Sequence, residues 1–117
     1  GQYGVFSARE GSTINGGVTV DEAYSYADFS LGQTDTITLT ANLVLIDEVS
    51  YNRFGWGQFN GVTLNLSPVA TDASDNDSAD FWCAATTSYG DGDFGTPGAA
   101  NIDCGNLDYD GDGVTLE

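Results

Sequence analysis

Residues 36–51 read TITLTANLVLIDEVSY, and this stretch decides the fold class. Apolar Ile37 and Leu39 alternate with threonines, so they face one side of an extended chain, as in a half-buried strand. The Ala-Asn pair at 41–42 predicts a two-residue turn, and residues 43–51 form the longest strand candidate. The stretch therefore predicts a β-hairpin.

Shorter strand candidates lie on both sides of this hairpin. We expect strands over residues 3–8, 18–20, 62–66 and 81–84, separated by turn-forming Gly, Asn, Asp and Pro. Gly, Pro and Asp dominate residues 86–101, where we expect no regular structure. The composition, with sixteen Gly and 12% aromatic residues, is typical of strands and turns. The sequence therefore predicts an all-β fold.

Charge restricts the partners of the chain. Eighteen acidic residues oppose only Arg9 and Arg53, for a net charge of −16. Binding to nucleic acid or to an anionic membrane surface requires clustered Lys and Arg, which the chain lacks. We expect neither a membrane span nor a signal peptide within these residues, because no apolar run approaches the roughly 18 residues of a span and no charged stretch followed by an apolar one stands at the N-terminus. Salt or bound cations screen the repulsion among so many negative charges, so this acidity is typical of proteins in a saline or calcium-rich exterior. It predicts an extracellular protein, secreted or at the cell surface.

Two cysteines, Cys83 and Cys104, lie on either side of the Gly- and Pro-rich stretch. A zinc site lacks ligands, because the chain has no His and no C-x-x-C pair. We interpret the two cysteines as a disulfide, which is typical of secreted proteins, with two free thiols as the alternative.

The block GDFGTPGAAN at residues 92–101, preceded by Trp82 and Cys83, is the most specific motif of the chain. Together with segments 16–21, 29–31, 35–39 and 46–51, taken in this order, it resembles the lamin tail domain, or intermediate filament tail domain, of bacterial secreted proteins. The resemblance covers residues 2 to about 104. It implies an immunoglobulin-like β-sandwich over residues 1–104, attached to secreted enzymes or surface proteins and carrying no catalytic residues.

Members of that family begin with strands that have no counterpart in this sequence. The resemblance therefore implies an incomplete sandwich, with an open sheet edge and an uncovered inner face. We expect a protein partner there, either the remainder of the parent protein or another copy that completes the sheet by strand exchange.

Residues 105–117 form an Asp-rich tail or the start of a calcium-binding repeat. Asp108, Asp110 and Asp112 alternate around Gly111 as in the first half of a calcium loop, so calcium is the candidate cofactor. The block also resembles the repeats of thrombospondin type 3 modules. The alternative is a solvated acidic tail, which is also the favoured interpretation of the acidic clusters at 72–80 and 91–93.

Aromatic residues supply the candidate ligand-binding positions. Trp56 and Phe59 lie in a glycine-rich segment, where they either fold over the core or bind a ligand such as a glycan. Catalysis is not expected, because without His or Lys the ordinary bases for nucleophilic chemistry are missing.

Three functions remain open from the sequence. The first is a non-catalytic accessory or structural domain of a larger secreted protein, stabilised by calcium, that mediates tethering or interaction. The second is a module that binds a glycan or a protein strand. The third is a self-assembling subunit completed by strand exchange.

Overall fold

A computed structural model describes residues 2–56 and 60–105. Strands and turns account for nearly all of the regular structure in these two ranges, so the all-β prediction is confirmed. In chain order the strands are β1 (Phe6–Ser7), β2 (Glu22–Ala23), β3 (Thr34–Ala41), β4 (Val44–Asn52), β5 (Leu64–Leu66), β6 (Trp82–Ala84), β7 (Ser88–Tyr89) and β8 (Asp93–Phe94). Two 3₁₀ turns, Asp75–Asp77 and Ala79–Phe81, precede β6.

The strands form four two-stranded sheets within the described ranges. β1 and β2 are parallel, whereas β3–β4, β5–β6 and β7–β8 are antiparallel. A bridge between Val62 and Phe94 joins the segment before β5 to β8. Within the described part of the chain, no helix is long and apolar enough to cross a membrane.

The predicted hairpin is confirmed as β3–β4, but its turn lies one residue later than expected. Ala41 pairs with Val44, so Asn42 and Leu43 form the turn, with φ angles of 50° and 67°. Two consecutive positive φ values match the twist of a tight hairpin, and Asn tolerates that conformation well. Leu43 is fully exposed, because it occupies the tip of the turn.

The two faces of the hairpin differ in chemistry. On one face Ile37 lies opposite Val49, next to the pair Asp35 and Tyr51. This face is less covered than the alternation predicted, since Ile37 remains 39% exposed. The other face is polar, and there the hydroxyl oxygens of Thr36 and Ser50 lie 2.8 Å apart.

In β5 the polar residue of the alternating pattern is the buried one. Leu64 and Leu66 are only partly buried, whereas Asn65 is 1% exposed. Among the described residues the buried hydrophobic side chains are Ala85 and Cys104. The interior of this region is therefore small and contains polar groups.

One strand prediction and one loop prediction need correction. Residues 18–20 form no strand, and the N-terminal strand partner is β2 instead. Residues 86–101, where no regular structure was expected, contain the β7–β8 pair. Gly90 and Gly92 allow the chain to form that turn, because glycine readily adopts the positive φ angles of 57° and 115° found there.

Candidate functional site

An apolar cleft separates the β3–β4 hairpin from the β5–β6 pair. The cleft has a volume of about 530 Å³ and opens to solvent. Its walls include Ile37 and Val49 from the hairpin and Leu64 and Trp82 from the opposite pair. Apolar surface in an open cleft remains in contact with water, so its burial by a ligand is favourable.

Trp82 forms a fixed wall of this cleft. Its indole Nε1 donates a hydrogen bond to the Asn76 carbonyl oxygen at 2.8 Å. The ring of Trp56 packs against it, with centroids 5.6 Å apart and planes tilted by 38°. These two contacts hold the indole in place, so this wall of the cleft is preorganised.

The hairpin is also tied to the segment on the opposite side of the cleft. The carboxylate of Asp47 accepts a hydrogen bond from Asn76 Nδ2, which joins β4 to the first 3₁₀ turn. The sequence predicted only hydrated surface for the acidic stretch that contains Asn76. This contact links the hairpin to the residue whose carbonyl oxygen accepts the Trp82 hydrogen bond.

Polar groups lie at one end of the cleft. Tyr51 donates its hydroxyl to the Gly32 carbonyl oxygen at 2.7 Å. Burial, followed by the nearby Asp35 carboxylate, raises the pKa of Tyr51, while Arg53 acts in the opposite direction. Arg53 Nη2 donates to Asn60 Oδ1 at 2.8 Å, and its guanidinium lies over the Phe54 ring.

A second, polar cavity adjoins Trp56 at the end of the hairpin. Its volume is about 520 Å³, and Thr34, Thr36, Ser50 and Asn52 line it together with Trp56. The structure thus places one of the two predicted ligand-binding aromatics at a cavity. The other, Phe59, lies outside the described residues.

The predicted disulfide between Cys83 and Cys104 is present, with a Cα–Cα distance of 5.9 Å. It attaches the segment after residue 101 to β6. Asn65 Nδ2 donates to the Ile102 carbonyl oxygen at 3.0 Å, and Ser67 Oγ to Asp103 Oδ1 at 3.0 Å. The sequence did not single out Asn65 or Ser67, because their only signal is a position shortly before Pro68.

The predicted calcium ligands Asp108, Asp110 and Asp112 lie outside the described residues. Within residues 2–56 and 60–105, no group of three or more acidic, Cys or His side chains is arranged to hold a metal ion. The calcium site therefore stays a prediction from the sequence.

The chain matches no protein-family model, no curated protein and no solved structure. The resemblance to the lamin tail domain therefore stays a prediction.

Proposed function

We propose that this chain is a non-catalytic accessory module of a larger secreted or cell-surface protein, and that it binds an extended polypeptide segment at the apolar cleft. The observation that carries the proposal is the cleft itself, with Val49 and Trp82 on opposite walls. In this proposal the module is an immunoglobulin-like β-sandwich of the lamin tail type, and the bound segment supplies a missing strand. Calcium bound at Asp108, Asp110 and Asp112 stabilises the C-terminal part.

The open edges of the hairpin support binding of a strand. Within the described ranges β3 and β4 pair only with each other, so each has a second edge of backbone N–H and C=O groups. On these edges the Thr36 and Glu48 amides donate to the Asp35 and Asp47 carboxylates, which an added strand has to displace. An added strand satisfies one such edge through main-chain hydrogen bonds, and every second side chain enters the cleft. An extended segment with alternating apolar residues therefore fits both features.

Charge determines which segment is favoured. With a net charge of −16, a second copy of the chain is repelled over the distances at which association begins. A basic segment of the parent protein is attracted instead, and a neutral one is not repelled. We therefore favour the parent protein over strand exchange between identical copies.

The absence of catalysis is part of the proposal. The chain has no His and no Lys, so the ordinary base for a Ser or Cys nucleophile and the Schiff-base route are missing from the sequence. Because the pKa of Tyr51 is raised, its hydroxyl forms the basic phenolate less readily than that of an ordinary tyrosine. These features support a binding role.

Two peptides test the proposal. Each has about eight residues of alternating Val and Thr, flanked by two lysines in one and by two glutamates in the other. We expect the Lys-flanked peptide to bind about tenfold more tightly at low salt, with the difference shrinking at high salt. Binding is measured by titration calorimetry. Equal or absent binding of the two peptides contradicts the proposal.

Two matched variants locate the binding site. Val49→Asp and Leu43→Asp add the same charge to the hairpin, but Val49 lines the cleft and Leu43 is fully exposed at the turn. We expect V49D to abolish peptide binding and L43D to leave most of it. Light scattering on the unmodified chain distinguishes the alternative, because a dimer that V49D dissociates indicates strand exchange between copies.

A further inference from the structure

We propose that the polar cavity beside Trp56 is a binding site for a neutral saccharide. The cavity shares Tyr51 with the apolar cleft, but its other lining residues differ, and the proposal does not depend on the segment proposed to bind in the cleft. The ligand class follows from three features of the cavity, which are an aromatic ring, a set of exposed hydroxyl and amide groups, and the charge of the chain.

The aromatic ring is held but not enclosed. Trp56 is half-buried, packs against Trp82 at 5.6 Å, and lines the cavity at the end of the hairpin. The backbone N–H of Trp56 donates to the Asn52 carbonyl oxygen at 2.8 Å, which fixes the residue to the end of β4. The face of an aromatic ring is negative, and the C–H groups on one side of a pyranose ring are weakly positive, so the two stack.

Hydroxyl groups on the polar face of the hairpin are available to hydrogen-bond with those of a sugar. Thr36 and Ser50 are exposed and share one hydrogen bond of 2.8 Å, which uses the donor of only one of them. The pair therefore keeps one O–H donor and further lone pairs for a ligand. Thr34, on the same face, lines the cavity as well.

The amide of Asn52 adds a directed donor. Its Oδ1 accepts a hydrogen bond from the Gly55 backbone N–H at 3.1 Å, which sets the orientation of the side chain. The NH₂ group is then the donor that remains for a sugar hydroxyl. Saccharide sites commonly need such a group at the edge of a stacking ring, because stacking alone does not fix the orientation of the sugar.

The charge of the chain selects among saccharides. Asp35 lines the same cavity, and the net charge is −16. Uronic, sulfated and sialylated glycans are repelled by this field, whereas neutral hexose or N-acetylhexosamine polymers are not. The proposed ligand is therefore a neutral oligosaccharide.

The test is titration calorimetry of the full chain with hexasaccharides of glucose, mannose and N-acetylglucosamine, and with hexagalacturonate as the acidic probe. We expect at least one neutral hexasaccharide to bind and hexagalacturonate not to bind. Trp56→Ala weakens binding about tenfold or more, whereas Tyr26→Ala, an exposed aromatic outside the cavity, has no effect.

A second pair of variants tests the site independently, in case W56A does not fold. Thr36→Ala removes a hydroxyl at the cavity, while Thr38→Ala removes one on the same face outside it. Weaker saccharide binding by T36A but not by T38A supports the site. V49D, which tests the apolar cleft, leaves saccharide binding unchanged, so the two proposals fail independently. Binding of none of the neutral hexasaccharides, or equal binding by T36A and the unmodified chain, overturns the proposal.

Discussion

The side-chain amide of Asn65 lies 3.7 Å from the sulfur of Cys104, in the most deeply buried part of the described structure. The same amide donates to the Ile102 carbonyl oxygen, so one side chain of β5 holds the C-terminal segment beside the disulfide. Ser67 extends this contact, because its hydroxyl accepts from the Cys104 backbone N–H at 3.2 Å. Polar groups, rather than apolar packing alone, therefore close this end of the molecule.

Replacement of Asn65 by Ala is expected to lower the free energy of unfolding by about 1–3 kcal/mol, because it removes a fully buried side chain and leaves the part-buried Ile102 carbonyl oxygen without its donor. Asn101→Ala is the matched control, since Asn101 donates to the Leu66 carbonyl oxygen but is exposed. Urea unfolding measures both. An equal loss for the two variants contradicts the importance of burial at Asn65.

Reduction of the Cys83–Cys104 disulfide is expected to lower the free energy of unfolding by about 3 kcal/mol, because the bond closes a loop with a sequence separation of 21. The measurement is urea unfolding with and without a reducing agent. A double Cys→Ala variant is the control, and reductant has no effect on it. An unchanged midpoint for the reduced chain contradicts this expectation.

Gly90→Ala is expected to destabilise the fold by more than about 2 kcal/mol, because a Cβ there overlaps the Gly16 carbonyl oxygen and φ is 57°. Gly17→Ala is the control, since its φ is also positive, at 85°, but a Cβ meets no atom within 4 Å. Thermal unfolding compares the two. If G17A is as unstable as G90A, strain in φ rather than overlap is responsible.

Alkaline pH is expected to destabilise the chain through Tyr51. Burial and the Asp35 carboxylate raise its pKa above the ordinary value of 10.0. The folded state then keeps a proton that the unfolded state loses, so stability is full below pH 10 and is lost as the pH rises through the folded pKa. Tyr89 shifts in the same direction, by burial and by Asp93.

Tyr51→Phe separates this contribution from the rest. The variant loses the hydrogen bond to Gly32, so we expect it to be less stable by about 1 kcal/mol at neutral pH. Its stability then falls less steeply than that of the unmodified chain as the pH rises past about 10. Urea unfolding across this range measures both effects, and parallel curves for the two proteins contradict the assignment.

Local pattern was sufficient to predict the hairpin and the disulfide. The alternation around Ile37 and Leu39 predicted β3, and the missing zinc ligands together with the acidic, secreted-type composition favoured a disulfide between Cys83 and Cys104 over two free thiols. Both predictions use only residue types and their order along the chain. The turn lies one residue later than predicted, because no feature of the sequence signals the positive φ angle of Leu43.

Features that depend on contacts between distant segments could not be predicted. The burial of Asn65 depends on Ile102, and the link between Asp47 and Asn76 joins two segments that the sequence treats separately. The cleft is formed by Val49 and Trp82 from different sheets, so neither residue marks it in isolation. Trp56 was selected as a candidate for its type alone, and its cavity depends on the fold of β3 and β4.

The most direct test of the proposed function is residue-resolved hydrogen–deuterium exchange of the hairpin, Thr34–Ala41 and Val44–Asn52, with and without the Lys-flanked peptide. In an antiparallel pair, the amides that point away from the partner strand recur at every second residue. We expect saturating peptide to slow exchange at those alternate amides along one edge of the hairpin. Peptide binding that leaves the exchange of both edges unchanged would contradict the addition of a strand at the apolar cleft.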